Sequence, residues 1–172
     1  NGKERISVCN ALDKVLINRR IFENGKDMSL LIQNIKSKGI EVTGDGTFES
    51  YQDIVHIDHN EDLMYEEFLA PKVMFSVVND PEEAIDKINT YSGGHSAVIV
   101  TKNEAVADHF LMNVDCAAVY HNASTRFTDG GQMGFGGEMA ISTQKLHFRG
   151  PVGIDQLVTN KWFIYGNGQI RN

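Results

Sequence analysis

Two cysteines, Cys9 and Cys116, are all that 172 residues contain. Neither has a CxxC partner, so the sequence offers no disulfide framework and no structural zinc motif. With no signal peptide visible, a reducing compartment follows, and the expectation is a cytoplasmic protein. Basic residues are short as well: 16 Lys and Arg face 23 Asp and Glu, a formal charge of −7 with no basic block. Nucleic-acid binding by phosphate neutralisation is therefore disfavoured. Long apolar runs are missing too. The stretch "AVIV" at Ala97 to Val100 is far too short to span a bilayer, so no membrane partner is expected. Repeats and low-complexity segments are absent, and the glycines of "GGQMGFGG" do not build a strand–GxGxxG–helix nucleotide fingerprint.

What is present is an ordinary globular composition, 41% hydrophobic and 23% charged, sufficient for a real core. The length suits one domain, or one domain with an appended piece. The chain begins "NGKERIS" without Met, and the expectation is a piece of a longer protein.

Helical and strand patterns alternate. Leu12, Val15, Leu16 and Ile17 follow helical spacing after Cys9, and that run ends near Phe22. A second helix is predicted from about Met28 to Lys38, stopped by Lys-Gly. "IEVTG" and "IVHI" read as short strands around a weak helix over "TFESYQ". "KVMFSVV" (Lys72 to Val78) is a β-rich run, and "NDPEEAIDKINTY" opens a helix with Asp80 as N-cap, Pro81 in the first turn and Glu83 three after the cap. "SAVIVT", "KNEAVADHFLMNV" and "AAVYHN" continue as strand, helix and strand, the helix turning Val106, Phe110 and Leu111 inward. This order means right-handed crossovers and a largely parallel sheet. Nine of the sixteen glycines lie beyond Asn122, where periodicity fades and long functional loops are expected. The final "DQLVTNKWFIYGNGQIRN" reads as a short helix and then a strand.

Cys9 admits two readings from these residues. It is a buried small hydrophobe, as free cysteines usually are. Or it sits before a helix, where free N–H groups and the positive dipole end lower its pKa and favour an attacking thiolate. Cys116, entering a strand, reads as a core cysteine. The acidic run Glu61, Asp62, Glu66 and Glu67 could be a solvated face. Arg126 stands in a small-residue loop after a strand end, between hydroxyl neighbours that include Ser124 and Thr125, and its planar fork suits phosphate or carboxylate. Glu138 could simply face water. His56 and His59 flank an acidic turn, but no further ligand completes a metal set, and no metal is expected.

Three stretches, "VCNALDKVLI", "YEEFLAPKVMFSVVNDPEEAI" and "YHNASTRFTDGGQMGFGGEMAISTQKLHFRGPVG", together resemble the aldehyde dehydrogenase superfamily and, within it, the γ-glutamyl phosphate reductase family. "EFLAP" is similar to the superfamily's Glu-x-x-x-Pro element, while "NASTRFTDGG" and "STQKLHFRGPVG" are specific to the reductases. The resemblance covers essentially the whole chain and corresponds to the C-terminal part of such an enzyme, without its upstream NADP-binding portion. It implies a three-layer α/β/α catalytic domain with a largely parallel sheet over residues 1–137. Residues 138–172 would then be a segment for contacts with the cofactor domain or between subunits of a homo-oligomer. It implies Cys9 as nucleophile and Glu67 on the ribose hydroxyls of NADPH. Substrate contacts are implied at Asn122, Ser124, Thr125, Arg126 and Glu138, the last pairing with the glutamyl amino group. The implied activity is NADPH-dependent reduction of L-glutamyl 5-phosphate to glutamate 5-semialdehyde on the path to proline, inactive in this piece alone. Another oxidoreductase of the superfamily, a non-catalytic α/β interaction domain and a fusion to a kinase are the competing readings.

Overall fold

The computed structural model describes residues 2–58 and 61–171. Its largest sheet has four parallel strands in the order β1-β4-β2-β3: β1 Lys14–Asn18, β2 Glu41–Gly44, β3 Val55–His56 and β4 Lys72–Val78. Between β1 and β2 lie α1, Arg19–Glu23, and α2, Gly25–Lys36; a single turn, α3, Asp62–Tyr65, precedes β4. α2 presents Met28 and Ile32 to Ile17, Val42, Val73 and Phe75, and the short turn Gly46–Phe48 drops Phe48 into the same cluster. Met28, Phe48 and Phe75 are fully buried, each contributing about 1.5–3 kcal/mol relative to exposure. Gly44 at the end of β2 allows this approach. A Cβ there would stand 2.6 Å from the Phe48 ring, so only glycine fits.

A second layer of structure follows β4: α4, Pro81–Tyr91; β5, Ser96–Ile99; α5, Glu104–Asn113; and β6, Ala118–His121. The Asp80 side chain accepts from the Glu83 N–H at 2.9 Å with Pro81 in the first turn, as the sequence predicts. The Glu83 carboxylate reaches back one residue further than a simple capping box, to the Asn79 N–H at 2.8 Å. Asn103 caps α5. Phe110 is buried, Val106 and Leu111 are half-buried, and Ala107 takes the remaining inward position. β5 and β6 pair in parallel around a smaller core of Ile85, Ala97, Phe110, Val114 and Cys116. The predicted parallel α/β architecture is present, divided into a four-stranded ladder and this two-stranded one. A short antiparallel pair, β7 Ala140–Ser142 and β8 Gly150–Val152, completes the strands among the described residues.

Three expectations are corrected. The helix predicted after Cys9 does not form: Lys14–Asn18 is β1, in register with Met74–Val78, and only Arg19–Glu23 is helical. Three consecutive apolar residues, Val15 to Ile17, fit either period, and the open edge of β4 decides for strand. The weak helix over "TFESYQ" shrinks to the turn Gly46–Phe48. The tail strand is not assigned either. After the turn Ile154–Leu157 the chain runs without a ladder partner among the described residues, leaving Trp162 86% exposed.

Candidate active site

Cys9 lies in a looped segment that leads into β1, closed by Ala11 N–H to Val8 O at 3.0 Å and Leu12 N–H to Gly2 O at 2.8 Å. It is exposed, whereas Cys116 is buried and within 3.4 Å of the Ser92 hydroxyl. Accessibility alone therefore separates the two thiols. Without a helix behind it, Cys9 has no dipole end to lower its pKa. Partial desolvation pushes its thiol up, Glu138 and then Glu67 push it further, and the Cys9 and Asn10 backbone N–H groups oppose them by hydrogen bonding to the sulfur. The expected depressed pKa is thus reversed.

The two carboxylates act on this sulfur through their charge, from different segments. Lys3, buried, pairs with Asp13 and donates to the Phe68 carbonyl at 2.8 Å. Asp13 in turn accepts from the Phe68 N–H at 3.1 Å. This staple ties the base of the Cys9 loop to the segment carrying Glu67. Beside it, Lys14 donates to the Glu66 carbonyl at 2.6 Å and stands 3.6 Å from the Phe68 ring centroid, and burial pushes its pKa down to about 8. Glu138 arrives on the glycine-rich loop. Its carboxylate accepts from the Gly130 N–H at 2.6 Å, and a Cβ on Gly130 would sit 2.9 Å from that of Glu138.

Of the loop after β6, Thr125 and Arg126 come to the cysteine segment through Asn10. Thr125 Oγ1 donates to the Asn10 carbonyl at 2.8 Å, and the Arg126 guanidinium donates to Asn10 Oδ1. Asn10 Nδ2 donates to the Thr128 carbonyl at 2.8 Å and the Arg126 carbonyl at 3.3 Å. Ser124 is occupied locally, capping the turn Thr125–Phe127 by accepting from the Arg126 N–H. Asn122 is turned elsewhere: its amide both accepts from the Thr101 N–H at 3.0 Å and donates to the Thr101 carbonyl at 2.8 Å, with φ at +53°. Sequence reasoning missed Asn10, although it directly follows Cys9, because a single polar residue in "VCNA" gives no sign of partners more than a hundred positions away. It also missed Thr128, fully buried between the Ser96 and Tyr120 hydroxyls.

His56 lines a shallow depression of about 460 Å³ with Gly46, Glu49, Ile57 and Asp58, which shares no residue with the Cys9 site. His59 lies outside the described residues. Among the described residues no three His, Cys, Asp or Glu side chains converge as metal ligands, and no helix is long and apolar enough to cross a membrane.

Residues 9–163 match the model of the aldehyde dehydrogenase family. The chain is 48% identical over 167 residues to a γ-glutamyl phosphate reductase of Clostridium perfringens, covering 97% of this chain and 40% of that protein. A γ-glutamyl phosphate reductase of Bacillus mycoides is 44% identical over 168 residues, again with 40% of its length covered. The chain thus spans about two-fifths of these relatives. The crystal structure of γ-glutamyl phosphate reductase from Thermotoga maritima superposes on the whole chain with a TM-score of 0.91 at 41% identity, covering 41% of that protein. A betaine aldehyde dehydrogenase of Staphylococcus aureus, 15% identical with a TM-score of 0.51 over 70% of this chain, shares the fold.

Proposed function

Because the chain belongs to the aldehyde dehydrogenase family, we propose that the intact protein reduces L-glutamyl 5-phosphate to L-glutamate 5-semialdehyde and phosphate, using NADPH and a thioester on Cys9. The observation that carries this reading is an exposed cysteine acted on by two carboxylates from distant segments, in a chain 48% identical to a γ-glutamyl phosphate reductase. We assign residues 1–137 to the catalytic domain and 138–172 to contacts with the cofactor domain or a second subunit. The reaction belongs to proline biosynthesis in the cytoplasm, where a free cysteine stays reduced.

The substrate's acyl carbon would be attacked by Cys9 sulfur, forming the S–C bond as the C–O bond to phosphate breaks. Phosphate leaves without needing an activated water, so no general base is demanded in this direction. Glu138, one of the groups holding the thiol protonated, is the acceptor we assign to the substrate's ammonium. Burial is the main cause of the raised Cys9 pKa, and pairing at Glu138 would offset the larger of the two charges that add to it, so linking substrate arrival to thiolate formation. The Cys9 and Asn10 N–H groups favour the thiolate and are suited to charge developing on the attacked carbonyl oxygen. Arg126, steadied by Asn10, keeps further guanidinium donors for the phosphate.

Glu67 fits a nicotinamide cofactor. Its carboxylate is exposed and could accept from adjacent ribose hydroxyls. When bound, that cofactor supplies hydride to the thioester carbon; expulsion of Cys9 as thiolate then releases the aldehyde.

Cys9→Ser in the intact enzyme tests the assignment. A serine hydroxyl is almost wholly protonated at neutral pH, so phosphate-dependent oxidation of the semialdehyde by NADP should fall to background with the fold unchanged. Substantial residual turnover would sink it. The present chain by itself should show none.

A further inference from the structure

Lys3 carries a charge that the fold buries to 5% exposure and that takes no part in the chemistry above. An ammonium taken out of water is costly unless its donors are matched. The partners of Lys3 are the Asp13 carboxylate and the Phe68 carbonyl, at 2.8 Å. Asp13 also accepts from the Phe68 N–H at 3.1 Å, on the peptide group that follows Glu67. Lys14, half-buried, donates to the Glu66 carbonyl at 2.6 Å, on the peptide group that precedes Glu67. Both peptide groups of Glu67 are therefore held from outside, and Lys3 locks the residue that holds the second. The buried Phe68 ring adds a further anchor, with Lys14 Nζ 3.6 Å and Lys72 Nζ 4.7 Å from its centroid.

The sheet does not hold this segment. The ladders of β4 begin at Lys72, opposite Glu41, so residues 66–70 lie outside them and depend on side chains for support. That support comes from the neck of the Cys9 loop. Leu12 N–H donates to the Gly2 carbonyl at 2.8 Å, and the Asp13 carbonyl accepts from the Met74 N–H at 2.8 Å. Lys3 and Asp13 thus stand at the two ends of the loop that carries Cys9. Cys9 and Glu67 hang from one node, and each of its links is a direct hydrogen bond. In the functional reading above, Cys9 carries the thioester and Glu67 the ribose of the hydride donor. Hydride transfer requires the two in a fixed relation. A carboxylate meets two adjacent hydroxyls only when its own backbone is held. The node holds that backbone and leaves the Glu67 side chain exposed.

We propose that Lys3, Asp13 and Lys14 are positioning residues for cofactor binding, fixing the peptide groups on either side of Glu67 and so aiming its carboxylate at the nicotinamide ribose. The inference rests on the functional reading of Glu67 above. It is tested on the full-length enzyme by fluorescence titration with NADPH and by oxidation of glutamate 5-semialdehyde with phosphate and NADP. Glu67→Ala sets the reference and should raise the Kd for NADPH about tenfold. Lys14→Met, the deciding variant, keeps an unbranched stem on the Phe68 ring and removes the donor. It should raise the same Kd about threefold, with the KM for phosphate and for the semialdehyde nearly unchanged. Lys14→Arg restores a donor and a cation over the ring and should recover most of that loss. Lys3→Met combined with Asp13→Asn removes the buried pair without stranding a charge, and it keeps an oxygen for the Phe68 N–H. The pair should weaken NADPH binding at least as much as Lys14→Met. In a Glu67→Ala background neither change should weaken it further, because both act through that carboxylate, whereas a merely structural contribution would persist there. An unchanged Kd in Lys14→Met, an equal rise in the phosphate KM, or an effect that survives loss of the Glu67 carboxylate would overturn the inference and leave the Cys9 assignment standing. An unchanged Kd in Glu67→Ala would overturn the cofactor reading of Glu67 and the inference with it.

Discussion

"KVMFSVV" in β4 and "KWFIYG" in the tail have nearly the same appetite for strand structure and opposite fates. β4 lies between β1 and β2, and Phe75 and Val73 are buried against α2 and the Phe48 turn. In the tail, Trp162, Ile164 and Tyr165 are 86%, 89% and 93% exposed. β-propensity describes a fit to a pleated surface that neighbours must supply. The first segment has those neighbours within this chain, and among the described residues the second has none. An unpaired aromatic-rich segment of this kind is an association surface. The proposed contacts of residues 138–172 with the cofactor domain or a second subunit would give this surface its neighbours.

The sharpest way to break the comparison is to truncate one aromatic in each region. Phe75→Ala should lower the unfolding free energy of this chain by about 3–5 kcal/mol, through lost transfer energy and the cavity left behind. Trp162→Ala should change it by no more than about 0.5 kcal/mol. Urea denaturation of both variants decides. A large loss for Trp162→Ala would mean that the tail folds back on its own sheet.

Between these extremes stands the site, which is built almost wholly of loops. The strands β2, β4, β5 and β6 and the cap at Asp80 were legible because local patterns dictate them. Lys14–Asn18 was misread because its apolar run suits two periods and only the pairing with β4 settles it. The same error carried over to Cys9, whose supposed dipole activation vanishes with the helix. Cys9, Glu67 and Glu138 enter as candidate site residues by resemblance alone, and both carboxylates act electrostatically on the cysteine. The bonds that assemble the site, Asn10 to the 125–128 turn and Lys3–Asp13 to Phe68, join residues 55 to 118 positions apart. No local pattern announces them.

Asn10→Ala should expose that dependence at intermediate cost. It removes the side-chain bonds to the Arg126 and Thr128 carbonyls and to the Arg126 guanidinium, a loss of about 1–3 kcal/mol for buried groups left unpaired. Hydrogen exchange should rise in residues 124–130 while protection in β4 is unchanged. Uniform loosening of both regions would show that the turn is not held through Asn10.

The smallest effect is electrostatic, and it tests whether Glu138 truly governs the thiol. Among the charged groups acting on Cys9, Glu138 is the larger contributor and Glu67 the smaller, both raising its pKa. Glu138→Gln removes the charge but keeps an oxygen for the Gly130 N–H, so the loop geometry is retained. The sign then follows directly. Less negative charge beside the sulfur favours the thiolate, the pH midpoint of Cys9 alkylation moves down, and iodoacetamide reacts faster at any pH below the wild-type midpoint. Glu67→Gln should act in the same direction and more weakly. Cys116 serves as the internal control: its thiol is held up by burial and moderated by Ser92, with no contribution from Glu138, so its rate should not move. A Cys9 midpoint that stays put or rises in Glu138→Gln would remove the link between substrate ammonium and thiolate formation, and with it the reason for placing the substrate's amino group at this carboxylate.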